Sequence, residues 1–184
     1  PGVIIVINLG MFLNTEREGE LASVMCHELA HLSQRHYARS QNRNSPLANA
    51  LMILGSIAVA AASRNPEAIL IAPAAMQQMS INYTRSNEKE ADRIGFNNLV
   101  KAGFDPNDMT MMFQRMQDKY QNEDSEQFSY LMTHPLPSER LTDMRIRADG
   151  LKNNSKNSFR DNLDFYLMQK RAQVWAEKDI KELV

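Results

Sequence analysis

The motif HELAH at residues 27–31 contains the residue types in this sequence that are best suited to chemistry. Residues four apart share one face of an α-helix, so the imidazoles of His27 and His31 can point at one metal ion. Glu28 is rotated by about 100° from His27, which places it near a water at the metal and not among the ligands. Nitrogen and oxygen ligands with one open position suit zinc. The motif therefore predicts a zinc centre with Glu28 as the general base.

A zinc site also needs a third protein ligand, and the segment SNEKEADRIG at residues 86–95 offers carboxylates for it. Glu88 and Asp92 are four residues apart and share a helix face. One can bind the metal while the other orients a ligating histidine, and the spacing leaves open which does which. Glu90 is rotated away and is expected to be solvated. His36 is interpreted as structural or solvated.

The hydrophobic pattern predicts an α+β fold that is mainly α. VIIVIN, residues 3–8, is expected to be a short strand, with an exposed edge to which an extended substrate can add. Thr15 and Glu18 form a capping-box pattern, and Gly103 is expected to cap a helix end. Helices are expected over about 16–40, 47–62, 67–101, 106–121, 138–148 and 159–183.

Composition excludes several classes of protein. The chain has 184 residues, of which 43% are hydrophobic, and a net charge of −1, so we expect one domain, alone or with an appendage, and no nucleic-acid partner. The single cysteine, Cys26, excludes an internal disulfide and a cysteine-rich zinc module.

Two apolar helices carry expectations about burial. The stretch 47–62 is shorter than a usual membrane span, so we expect a buried or partly buried helix, with peripheral contact to a membrane or a partner as the alternative. The last helix is expected to bury its apolar positions, which are Phe159, Leu163, Tyr166, Leu167, Val174 and Trp175.

Three segments, HELAH, NEKEADRIG and HPLPSER, resemble the zinc metallopeptidase family of HtpX and the CAAX prenyl endopeptidase, most of all its BepA-like branch. The similarity covers about residues 1–150. It implies a gluzincin-type metalloprotease domain that binds one Zn²⁺. The roles that it implies are zinc ligands for His27, His31 and Glu88, the catalytic base for Glu28, and an outer carboxylate for Asp92.

The resemblance also gives roles to two residues of the segment 133–140. His134 corresponds to a plug or fourth ligand that can silence the enzyme, and the opposite role, transition-state stabiliser, stays open. From sequence alone it is a loop histidine with an ordinary hydrogen bond. Arg140 corresponds to an arginine that can stabilise the developing oxyanion.

The function implied is a zinc-dependent endopeptidase that acts on unfolded or misassembled envelope proteins in the periplasm of a Gram-negative bacterium. Outer-membrane proteins are the expected substrates, and outer-membrane assembly machinery is a candidate partner. The alternative is a mainly latent protease domain of a chaperone or assembly factor. The expected domains are a peptidase at 1–150 with a truncated N-terminus, a linker at 151–158, and a helix at 159–184 that begins a tetratricopeptide-type region.

Overall fold

In the computed structural model of this chain, residues 5–43, 46–122, 129–151 and 163–181 are described, and most of them are helical. This agrees with the mainly α prediction. Residues 5–8 are irregular backbone, so the expected β element is not found in the described residues, and residues 3 and 4 lie outside them. The helices are α1 Leu9–Asn14, α2 Glu18–Ser33, α3 His36–Arg43, α4 Pro46–Ser63, a 3-10 helix Pro66–Leu70, α5 Ile71–Lys101, α6 Asn107–Asn122, α7 Ser129–Thr133, α8 Ser138–Leu151 and α9 Leu163–Lys181.

The capping-box prediction for the helix that carries the HELAH motif is wrong. The Thr15 hydroxyl donates to the Phe12 carbonyl at 2.8 Å. The backbone N–H of Glu16 donates instead to the carboxylate of Glu20, also at 2.8 Å. Glu20 is fully buried and accepts two further hydrogen bonds from Arg115 of α6. The first turn of α2 is thus anchored to α6 by a buried ion pair.

The expected single helix over 16–40 is two helices. α2 ends at Ser33 and α3 begins at His36. Between them Arg35 adopts a positive φ of 53°, which a continuous helix does not allow. This turn redirects the chain just after the HELAH motif.

The predicted end of the long helix is confirmed. Gly103 has a φ of 88°, a conformation that glycine adopts without strain. Its N–H donates to the Val100 carbonyl at 3.0 Å, and the N–H of Phe104 donates to the Leu99 carbonyl at 3.2 Å. These two bonds are the Schellman pattern at a helix end.

The chain forms two compact units whose boundaries pass through α2, between Ala30 and His31, and through α5, between Glu90 and Ala91. The unit of residues 1–30 and 91–184 contains the main core. Methionines contribute much of this core, as expected for adaptable packing. Its buried members are Val24, Phe96, Leu99, Met109, Met112, Phe113, Met116, Leu141, Met144 and Ala148.

The unit of residues 31–90 has a sparse core of small side chains. In α4 the buried residues are Ser56 and Ala60, and the 3-10 helix that packs on α4 buries Ala68. By length and composition α4 qualifies as a membrane span, but only 11% of it is buried. The expectation of a buried or partly buried helix is therefore wrong for most of α4.

The expectation for the last helix is also wrong. Its predicted core positions from Leu163 to Trp175 are all more than half exposed, and residues 152–162, which hold Phe159 and most of the expected linker, lie outside the described residues. α9 instead contacts α1 through another face. Phe165 packs edge-on against Phe12 at 5.5 Å between ring centroids, and Gln169 donates to the carbonyls of Phe12 and Thr15.

Candidate metal centre

In the first unit, a buried carboxylate connects the first motif histidine to an arginine. His27 on α2 is 1% exposed, and its Nδ1 lies 2.9 Å from Oδ1 of Asp92 on α5. Arg140 on α8 donates to the same carboxylate through Nε at 2.6 Å and through Nη2 at 2.7 Å. A histidine held through Nδ1 in this way is oriented to use Nε2 as a metal ligand.

The charge state of Asp92 suits this orienting role. Burial by itself raises the pKa of Asp92, but hydrogen bonding to His27 and Arg140 outweighs burial and lowers the pKa below its usual range. Asp92 is therefore ionised at neutral pH, where it accepts two hydrogen bonds from Arg140 and attracts Nδ1 of His27.

A glycine allows α5 to approach the backbone of α2 at His27. A Cβ at position 95 would lie 3.0 Å from both Cα and N of His27, and 3.1 Å from the carbonyl carbon of Cys26. These are backbone atoms that cannot turn aside, so Gly95 sets the helix spacing at which Asp92 reaches His27.

In the second unit, the second motif histidine contacts a carboxylate of the same helix α5. His31 Nε2 lies 3.3 Å from Oε1 of Glu88, which is buried. On its other side, His31 Nδ1 lies 2.9 Å from Nδ1 of His36. A hydrogen bond there leaves Nε2 of His31 as the nitrogen that faces Glu88.

His36 is itself held in place. It is 4% exposed, its Nε2 lies 3.1 Å from Oε2 of Glu90, and Arg39 donates to that same oxygen at 3.2 Å. Burial lowers the pKa of His36, with Glu90 opposing, and the hydrogen bond from His36 lowers the pKa of Glu90. The structural alternative for His36 agrees with these contacts. The interpretation of His36 as a solvated residue is wrong. Glu90 is partly exposed, as expected, but it also pairs with His36 and Arg39.

Back in the first unit, Glu28 lies beside the loop histidine. Its Oε1 is buried, has no hydrogen-bond partner among the described residues, and lies 3.6 Å from Nε2 of His134. The His134 ring is stacked on Tyr130 at 4.7 Å between centroids and meets His27 edge-on at 5.4 Å. A buried carboxylate oxygen of this kind fits a site that takes up a metal and water.

Arg140 also fixes the loop that carries His134. Its side chain is 4% exposed, and Nη1 donates to the carbonyl of Pro135 at 2.6 Å. One guanidinium therefore connects Asp92 with the residue next to His134. The fork of Arg donors suits such simultaneous contacts.

Each unit contributes histidine or glutamate side chains that could hold a metal ion, which among the described residues are His27 and His134 in the first unit and His31 and Glu88 in the second. Imidazole and carboxylate donors suit zinc and related divalent metals. Sequence reasoning named these four residues, and it missed what His36 and Tyr130 do. The sequence does not predict the role of His36, because its contact with His31 depends on the turn at Arg35.

Comparisons with known proteins match the chain to peptidases. The model of peptidase family M48 matches residues 1–148. The putative β-barrel assembly-enhancing protease of Vibrio cholerae is 49% identical over 152 residues, which are 80% of this chain and 31% of that protein. The β-barrel assembly-enhancing protease of Escherichia coli O157:H7 is 40% identical over 177 residues, 91% of this chain and 34% of that protein.

A more distant relative is the mitochondrial metalloendopeptidase OMA1 of Schizosaccharomyces pombe, 28% identical over 141 residues, which are 77% of this chain and 40% of that protein. The chain spans about a third of the length of the bacterial relatives. Because the family match covers most of the sequence and contains the motif histidines, Glu88 and the His134 loop, the chain belongs to peptidase family M48.

Proposed function

We propose that this chain is the catalytic domain of a zinc-dependent endopeptidase. The ligands are His27, His31 and Glu88, and the base is Glu28. The observation that carries the proposal is a pair of contacts between side chains of α2 and α5, at 2.9 Å for His27 with Asp92 and at 3.3 Å for His31 with Glu88. On each helix the residues concerned are four apart, so the two contacts are one turn apart on shared helix faces.

When bound, zinc would polarise the scissile carbonyl and make a neighbouring water more acidic. Glu28 would accept the proton of that water and return it to the leaving amine. Asp92 holds His27 through Nδ1, and His36 holds His31 through Nδ1. Each ligand thereby has its own partner that fixes ring orientation.

The direct test is Glu28→Gln, which removes the base and keeps side-chain size. We expect loss of hydrolysis of an unfolded protein such as casein by at least a hundredfold, with zinc content unchanged by metal analysis. Glu67→Gln, on the exposed surface of the 3-10 helix, is the matched control. Full activity of the Glu28→Gln variant with zinc bound would reject Glu28 as the base.

The same site has a built-in candidate inhibitor. His134 belongs to the group of potential ligands and lies against Glu28, so it can occupy the position that a substrate carbonyl and water need. Tyr130 stacking and the bond from Arg140 to Pro135 support the loop in that position. This favours a largely latent resting state, as the alternative of a mainly latent domain in an assembly factor requires.

For His134→Ala the two roles predict opposite signs. If His134 is a plug, its removal raises turnover of an unfolded substrate several-fold. If His134 stabilises the transition state, its removal lowers turnover. Single-turnover hydrolysis at equal zinc content measures the sign. A decrease would reject autoinhibition while leaving the endopeptidase proposal intact.

Arg140 has two structural partners in Asp92 and the Pro135 carbonyl, so we assign it to positioning. Its oxyanion role stays a prediction. Arg140→Lys keeps the charge but loses the fork, so zinc affinity should fall if Arg140 acts through Asp92. An unchanged zinc affinity with a lowered kcat would favour the oxyanion role.

The relatives' names supply the biological setting. They are called β-barrel assembly-enhancing proteases, so we propose unfolded or misassembled outer-membrane proteins as substrates and the periplasm as the location. From the family resemblance we also propose α9 as the first helix of a repeat region that recognises partners. Hydrolysis of an unfolded, but not of a folded, β-barrel protein by the zinc-loaded chain would support this substrate class.

A further inference from the structure

Helix α4 exposes apolar side chains over most of its surface. Leu47 is 70% exposed, Leu51 60% and Leu54 61%, and further around the helix Ile57 is 47% and Val59 51% exposed. With about 100° between successive residues, the exposed apolar positions cover roughly two thirds of the circumference. A helix that is apolar almost all round is normally buried in protein or lipid.

Helix α4 is neither a core helix nor a leader segment. A core helix is mostly buried, whereas α4 is 11% buried. A leader segment precedes the folded domain, whereas α4 lies inside the region that matches the family, after the HELAH motif. The exposed surface continues beyond α4 through Leu70 and Ile71, which are 66% and 56% exposed. So large an apolar surface indicates a binding site.

The charges next to α4 indicate what binds there. The segment 29–66 contains four arginines, of which Arg39 pairs with Glu90, and no aspartate or glutamate, although the whole chain has a net charge of −1. Arg35 precedes α3 and Arg64 directly follows α4, and both are exposed. Tyr37, also in this segment, is 79% exposed. Arginines and an exposed tyrosine beside an apolar helix are the features of an element that binds at a membrane surface.

We propose that α4 binds the surface of an anionic lipid bilayer. Its apolar arc lies among the acyl chains just below the headgroups, and Arg35 and Arg64 contact lipid phosphates. The helix lies in one leaflet and does not span the bilayer. A single span would place His31 and Glu88, which precede and follow α4, on opposite sides of the membrane, whereas their side chains lie 3.3 Å apart and α4 is the one helix of the described residues that qualifies as a span. This inference does not depend on peptidase activity.

Sedimentation of the purified chain with vesicles tests the proposal. We expect binding to phosphatidylcholine vesicles that contain phosphatidylglycerol, with affinity at least tenfold weaker for phosphatidylcholine alone, and release by high salt. The double variant Leu51→Glu/Leu54→Glu should lose binding at least tenfold. Ile146→Glu, at a 65% exposed position of α8, is the matched control and should bind as the wild type does.

The arginines are tested by substitutions that their backbone tolerates. Arg35 and Arg64 both have positive φ, 53° and 54°, and asparagine accepts this conformation better than most residues. Arg35→Asn/Arg64→Asn should therefore remove two charges with little strain. We expect about tenfold weaker binding to the anionic vesicles and no change with phosphatidylcholine alone.

Several results would overturn the proposal. One is a wild-type chain that does not sediment with anionic vesicles, and another is equal loss in the Ile146→Glu control. Binding that survives high salt would show that contacts between the arginines and lipid phosphates do not hold α4 at the surface. A lipid-free dimer that becomes a monomer in the Leu51→Glu/Leu54→Glu variant would assign the surface to a second copy of the chain. Circular dichroism and zinc content establish that each variant is folded.

Discussion

At the scale of single residues, the candidate site contains two histidines that are held in the same way by different partners. Asp92 contacts Nδ1 of His27, and His36 contacts Nδ1 of His31. A carboxylate and a neutral imidazole can both orient a histidine, because each fixes one ring nitrogen and leaves the other nitrogen free to bind a metal. Outer partners of metal ligands commonly change metal affinity by about 10–100-fold when they are removed.

Two amide substitutions separate the contacts of His36. The asparagine side chain can reproduce the position of Nδ1, which faces His31, while glutamine reaches toward Nε2, which faces Glu90. If His36 acts by orienting His31, His36→Asn should keep zinc affinity within a few-fold. His36→Gln should lower it about tenfold, as measured by competition with a chelating dye.

Stability measurements complete this comparison. Loss of zinc affinity in both variants, in proportion to their loss of unfolding free energy, would show that His36 only fills space. Equal and undiminished affinity in both would show that His31 needs no partner. Glu90→Gln, which changes the far end of the same chain of contacts, should fall between the wild type and His36→Gln.

At the scale of elements, the spacing between α2 and α5 near His27 depends on a missing side chain. Gly95→Ala would put a Cβ about 3.0 Å from two backbone atoms of His27, so the helices must move apart. We expect a loss of roughly 1–3 kcal/mol in the free energy of unfolding and weaker zinc binding, because Asp92 lies one turn away on the same helix. Urea denaturation and zinc titration measure the two effects.

Gly55→Ala in α4 is the matched control, since a Cβ there meets nothing within 4 Å. In the middle of a helix this exchange should stabilise by roughly 0.5–1 kcal/mol. If Gly95→Ala stabilised the chain to the same degree, α2 and α5 would lie further apart in solution than in the structure. The proposed positioning role of Gly95 would then be wrong.

The helical elements also show what sequence periodicity can and cannot predict. α4, α5 and α6 were predicted within a few residues, because apolar patterns and the Gly103 cap are local signals. The break at Arg35 was missed because an arginine with positive φ has no sequence signature. The burial of α4 and α9 was predicted wrongly, since an apolar face indicates only that something covers it and does not say what.

The residues proposed as ligands were recognisable for the same local reason. Spacings of four residues pair His27 with His31 and Glu88 with Asp92 on helix faces. The roles within the second pair came from family resemblance and stay predictions, which rest on the contacts at 2.9 Å and 3.3 Å. The contact of Glu28 with His134 depends on tertiary structure, and the contact of His31 with His36 depends on the turn at Arg35. Neither has a signal in the sequence.

At the scale of the whole molecule, the stability of the chain should depend on pH through carboxylates whose pKa values are shifted in opposite directions by folding. The pKa values of Asp92 and Glu90 are lowered by their hydrogen bonds. Their contribution is therefore present above the unfolded pKa near 4 and is lost as the pH falls through the lower folded values. Asp108 behaves in the opposite way, because burial raises its pKa to about 6.

For Asp108 the folded state keeps a proton that the unfolded chain has already released. As the pH rises from about 4 to about 6, this group therefore lowers the free energy of unfolding, by up to about 3 kcal/mol for a shift of about two pH units. Asp108→Asn removes the titration. We expect the wild type to lose more stability than the variant between pH 4.5 and pH 7.5 in urea denaturation.

The measurement needs a chelator in every sample, because zinc binding is itself pH-dependent and would add to the slope. Arg17, whose Nη1 lies 3.1 Å from Oδ1 of Asp108, loses an ionised partner in the variant above pH 6, so the comparison concerns the slope and not the absolute stability. Parallel pH profiles for the two proteins would mean that Asp108 is ionised in the folded chain throughout this range. The pair with Arg17 would then outweigh the cost of burying the carboxylate.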